Sequence, residues 1–125
     1  KDTAKAAALF REAAELDLPA AQFHLALAYE EGEGVSKDPV QAVELYGKAA
    51  AGRVTAAQFN LALMYLEGRG VEQDTLLGYA WLSVAGKNGS QQAVKQMQAV
   101  SGSLTSEQIE DAESIGRRWM EEKLR

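Results

Sequence analysis

The chain has 125 residues and a net charge of −5, which suits a single domain; its 13 basic residues are dispersed, whereas a nucleic-acid backbone calls for clustered Lys and Arg. Having no cysteine, it cannot form disulfides, thiolate nucleophiles or cysteine-based zinc sites. No apolar run approaches the roughly 20 residues that cross a bilayer, so membrane insertion is not expected.

Residues Asp2 to Leu16 place Ala6, Leu9, Phe10, Ala13 and Ala14 at spacings of three and four, which predicts a helix with one apolar face. A second helix is expected from Pro19 to Glu31, with proline at a start position where its missing N–H is harmless and Gly32 as the stop. Gly34 lets the chain reverse, and Asp38-Pro39 reads as the cap and first residue of a third helix reaching Ala51, with Gln41 placed to complete a capping box.

The next stretch repeats this plan. Ala56 to Val71 is a near copy of Ala20 to Val35, 36 residues earlier, and laying 20–55 over 56–91 gives 14 identities, 13 of them in the first 19 positions. Such a period marks a solenoid of helical hairpins, each a helix A followed by a helix B. The second copy predicts helix A over Ala56 to Glu67, Gly68 and Gly70 as stop and turn, Asp74 as cap, and helix B over Thr75 to Lys87. Residues 1–19 then form half a hairpin, a lone helix B, since Leu9 and Phe10 align with Leu45-Tyr46 and Trp81-Leu82.

Past Gly89 the pattern decays. A third helix A is expected from Gln91 to Val100, with Lys95 standing where the earlier copies have Phe23 and Phe59. Thr105 and Gln108 then form a capping box, and Leu104 and Ile109 a hydrophobic staple, at the start of a last helix to Lys123. Its apolar face, Ile109, Ala112, Ile115, Trp119 and Met120, suits a C-terminal cap within a partial repeat over 92–125. Arg117, Arg118, Lys123 and Arg125 give that end a basic edge favourable to the helix dipole. The chain opens at Lys1 without Met or a signal core, so it reads as a piece of a longer protein whose compartment, periplasmic or secreted space included, stays open.

The string A-x-x-x-L-x-x-x-Y-x-x-G-x-G-V-x-x-D, at Ala21 to Asp38 and again at Ala57 to Asp74, followed by A-x-x-L-Y-x-K-A-A at Ala42 to Ala50, resembles the Sel-one-like repeat (SLR) family, relatives of the tetratricopeptide repeats. The resemblance covers the whole chain. It implies an all-α, right-handed superhelix of about seven helices, acting as a non-enzymatic scaffold for a partner protein or peptide, often bacterial. It implies no cofactor or metal. Some relatives are cysteine-stapled proteins linked to cell-wall fragments, a branch from which this cysteine-free chain departs.

Helix A carries two apolar faces where a surface helix needs one. Ala57, Leu61, Met64 and Tyr65 form the first; Phe59, Leu63 and Leu66 form the second, matched by Phe23 and Leu27 in the earlier copy. The second face either packs on the preceding hairpin or lines a concave groove for a partner. Leu66 is expected in the groove, because its counterpart is Glu30 and a core site would not accept that exchange. His24, Asn60 and Gln96 recur once per unit between the faces, as solvated positions or as a ladder facing a bound backbone. The predicted partner surface is therefore Phe23, His24, Leu27, Glu30, Phe59, Asn60, Leu63, Leu66, Lys95 and Gln96.

Catalysis is not expected: the single histidine lacks a histidine partner for zinc or a relay, and no serine sits in a nucleophile motif. Gly32-x-Gly34 and Gly68-x-Gly70 follow helices rather than strands, which makes them turns, not phosphate loops. Glu30, Glu31 and Glu33 read as a solvated acidic rim, and Trp81 and Trp119 as core or interface anchors. The rival readings are an enzyme or binder of cell-wall fragments or another small ligand, and a surface for self-association.

Overall fold

The aspartates that recur every 36 residues start three of the helices: Asp2, Asp38 and Asp74 accept from the backbone N–H groups of Lys5, Gln41 and Leu77 at 2.9, 3.3 and 3.0 Å. The computed structural model describes residues 2–122. Within them run α1 (Thr3–Glu15), α2 (Pro19–Glu31), α3 (Pro39–Ala51), α4 (Thr55–Glu67), α5 (Thr75–Lys87), α6 (Gln91–Ser101) and α7 (Ser106–Glu122), with no strand among the described residues. Lys123 and Arg125 of the expected basic edge lie outside the described residues. Helices α2 with α3 and α4 with α5 form the two antiparallel hairpins, α1 stacks on α2, and α3 joins one hairpin to the next by packing on α4.

Alanines make this stacking close. Ala26, Ala42, Ala49, Ala57, Ala62, Ala80, Ala85 and Ala93 are fully buried, so helix axes approach until larger side chains such as Tyr46, Met64 and Leu82 fill what remains.

One capping expectation is corrected. The Asp38 N–H that Gln41 was to satisfy donates instead to the Tyr29 carbonyl at 2.9 Å, and Asp74 N–H does the same to Tyr65, so the hairpin's own first helix takes that donor. The capping box of α7 forms as expected, with Thr105 N–H to Gln108 Oε1 at 2.9 Å and Gln108 N–H to Thr105 Oγ1 at 3.0 Å. The staple residues Leu104 and Ile109 pack in one cluster with Tyr79, Ala80 and Ala112.

Positions 17, 53 and 89, also 36 apart, all take the left-handed conformation (φ 60°, 72° and 101°) in the turn between hairpins, although only the last is glycine. At each, the next residue's N–H reaches the carbonyl five residues back, Leu18 to Ala13, Val54 to Ala49 and Ser90 to Ala85 at 3.4, 3.0 and 3.0 Å, so the turn is a Schellman-type helix end that satisfies otherwise free carbonyls.

The buried Gln58 ties three helices together. Its Nε2 donates to the Ala50 carbonyl near the end of α3 at 3.1 Å, and its Oε1 accepts from Asn88 Nδ2 just past α5 at 3.1 Å. Gln58→Met keeps the volume and removes both bonds; because the Ala50 carbonyl keeps the Arg53 N–H and the exposed Asn88 amide turns to water, the expected cost is about 1 kcal/mol, the net worth of a hydrogen bond. A urea midpoint unchanged from wild type would contradict this.

Helix α7 closes the array by lying on α5. Gly116 permits the approach: a Cβ there would stand 3.1 Å from the Ala80 carbonyl oxygen and 3.3 Å from Val84 Cγ2. Both α6 and α7 pack on α5, and between them lies a cleft of about 390 Å³ lined by Tyr79, Ser83, Val94, Met97 and Glu113 among others.

Candidate functional site

The two apolar faces of helix A go to different places. Where α2 and α4 run side by side they leave a groove of about 520 Å³, lined by Leu27, Glu30, Glu31, Lys37, Asn60, Leu63 and Arg69. Four of the ten predicted surface residues meet there: Leu27, Glu30, Asn60 and Leu63. Glu31 of the expected acidic rim joins them, and Lys37 and Arg69, which lie in the turns after α2 and α4, complete the groove without a sequence expectation of their own.

Phe23 and Phe59 turn inward. Phe23 packs on the first core cluster with its ring centroid 6.0 Å from that of Tyr46, and Phe59 packs on the second cluster beside Ala62, Leu82 and Ala85. His24 is exposed but stacked on Phe10 of α1 at 5.0 Å, with Phe23 edge-on at 5.4 Å. Asn60, one unit later, donates from Nδ2 to the Tyr46 hydroxyl at 3.4 Å. Since Tyr46 aligns with Phe10, this recurrent polar position contacts the preceding helix B in both copies. Lys95 is exposed and Gln96 half-buried on α6, outside the lining of this groove.

Leu66 is half-buried against α5, where it packs on the second core cluster. A Cβ at Gly78 would lie 2.7 Å from Leu66 Cδ2, so glycine at that position makes the room Leu66 occupies. The aligned residues of the earlier hairpin are Glu30, Ala42 and Tyr46, against Leu66, Gly78 and Leu82 here. The exchange of Glu for Leu is therefore accommodated as a set: the carboxylate meets a hydroxyl in one hairpin, and a branched alkyl chain meets glycine and leucine in the other.

Glu30 is the centre of the polar network. The fully buried Tyr46 donates its hydroxyl to Glu30 Oε1 at 2.6 Å, while Arg69 pairs with Glu30 Oε2 and, through Nε at 2.6 Å, with Glu67. Burial, reinforced by the Glu30 carboxylate, holds the Tyr46 hydroxyl well above the usual phenol range, so it stays protonated and donating. Arg69 thus ties the turn of the second hairpin to α2 of the first, and carries charge compensation into the groove wall. Arg69 aligns with Glu33, and that change of sign between copies was the only sequence signal for such a pair.

Among the described residues, no helix is long and apolar enough to cross a membrane. A Sel1 repeat family model matches residues 1–18, 19–53 and 55–90. No curated protein matches the chain significantly. Among solved structures, c5321, a protective antigen of uropathogenic Escherichia coli strains displaying an SLR fold, is 33% identical with a TM-score of 0.93 over 99% of this chain and 27% of its own. A Sel1 repeat protein from Oxalobacter formigenes is 32% identical with a TM-score of 0.75 over 78% of this chain and 40% of its own. The chain therefore spans about a quarter of the first of these proteins and two-fifths of the second.

Proposed function

This chain belongs to the Sel1 repeat family, and from that premise we propose that it is a non-enzymatic scaffold that holds a partner protein or peptide in the groove between α2 and α4. The observation that carries this reading is the lining of that groove. Leu27 and Leu63 offer apolar contact, while Glu31 and Lys37 supply charges of both signs beside them, a composition suited to an extended segment with alternating side chains. The sole histidine is engaged in stacking on Phe10, which favours binding over acid–base chemistry.

The test is selection of a peptide from a displayed library on the wild-type domain, followed by titration of that peptide against Leu63→Glu and Lys37→Glu. Both positions line the groove at partly exposed sites, so the variants should fold normally and bind at least about tenfold more weakly, a loss of about 1.4 kcal/mol. Unchanged affinity in both variants would place the partner surface elsewhere.

A further inference from the structure

On the helix-B side, the two spaces between successive units differ in whether an arginine crosses them. In the first, Arg11 of α1 reaches across to α2, its Nη2 donating to the Tyr29 hydroxyl at 3.2 Å. In the second, the residue aligned with Arg11 is Gly47, and the residue aligned with Tyr29 is Tyr65. A Cβ at Gly47 would meet nothing within 4 Å. A groove of about 380 Å³ opens there, lined by Val43, Glu44, Gly47, Tyr65, Trp81 and Trp119 among others. The two indoles lie 4.5 Å apart, inclined at 31°.

We propose that this second groove binds an arginine side chain supplied by a partner polypeptide, in the place that the chain's own Arg11 takes in the first. Three features fit a guanidinium. Tyr65, which aligns with the tyrosine that accepts from Arg11, lines the groove and offers a phenol hydroxyl. Tryptophan faces attract a planar cation through the ring quadrupole, and guanidinium stacks on them. The exposed Glu44 carboxylate lies at the groove, replacing Ala8 of the first unit, and adds charge complementarity on a chain of net charge −5. This groove shares no lining residue with the α2–α4 groove, so the two sites stand or fall separately.

Trp81 and Trp119 are the chain's only tryptophans, which makes intrinsic fluorescence a direct reporter. The probe is a capped, tryptophan-free peptide with one arginine flanked by leucines, compared with the same peptide carrying citrulline or norleucine at that place. The expected result is a saturable fluorescence change with the arginine peptide and about tenfold weaker binding of both analogues. Gly47→Arg, which restores the first unit's residue at an open helix position, should fold as wild type by circular dichroism and lose the response. Glu44→Lys, at an exposed position, should weaken binding at least about tenfold without altering the melting curve. Equal binding of the citrulline or norleucine peptide, or full binding to both variants, would overturn the proposal. So would a fluorescence change that grows with protein concentration alone, since the occupant would then be a second copy of the chain.

Discussion

Gly70→Ala is expected to destabilise the domain by at least about 3 kcal/mol, whereas Gly68→Ala two residues earlier should cost about 1 kcal/mol. Both glycines have positive φ, 69° at Gly68 and 73° at Gly70, so both substitutions carry the strain of a left-handed non-glycine residue. Their surroundings differ. A Cβ on Gly68 would meet the Gln73 Cβ at 3.2 Å, a side-chain contact that a small shift relieves. A Cβ on Gly70 would collide with the Pro39 carbonyl, the backbone at the start of α3 in the preceding unit, and only separation of the two units relieves that. Gly34 stands in the same relation to the Thr3 carbonyl at the start of α1. Urea unfolding of the two variants is the measurement, with the slope checked so that midpoints report stability. Equal losses would mean that the close approach between turn and preceding helix contributes nothing.

The second large effect concerns Glu30. Glu30→Leu should cost about 3 kcal/mol: the buried Tyr46 hydroxyl loses its charged acceptor, and a branched side chain is forced against Ala42 where the other hairpin has glycine. The triple variant Glu30→Leu, Ala42→Gly, Tyr46→Leu installs the second hairpin's own set and should return to within about 1 kcal/mol of wild type, because the three positions share one contact and their effects do not add. A triple variant less stable than Glu30→Leu alone would show that the sets are not interchangeable. The same contact predicts a pH dependence. With its hydroxyl held above the usual range in the folded state, Tyr46 contributes stability that is fully present below the unfolded phenol's value of about 10 and is lost as pH rises beyond it. Tyr46→Phe should therefore be less stable than wild type at pH 8, with the gap closing at strongly alkaline pH.

The contact at Glu30 also differs from what its alignment implies. The alignment of Glu30 with Leu66 points to the groove for Leu66, on the rule that a core site does not accept both. The rule fails because α3 and α5 change with it, Ala42 to Gly78 and Tyr46 to Leu82, and those partners lie 12 and 16 residues away. Periodicity along one helix carries no information about which helix a face will meet. For the same reason Phe59 and Leu63, on one wheel face, divide between core and groove, and the reach of Arg69 back to α2 is marked in the sequence only by its change of sign from Glu33.

What the chain determines locally was legible: the 36-residue period, the aspartate caps, the glycine stops, the box and staple that start α7, and with them seven helices over the described residues in SLR-type hairpins. These depend on backbone geometry and neighbours a few residues apart, which a sequence states directly. The pairing of Glu30 with Tyr46 and Arg69, the seating of α7 on α5 through Gly116, and the opening of a groove at Gly47 were decided by contacts between units. Such contacts depend on how close two helices come, a distance set by every side chain between them rather than by any one position.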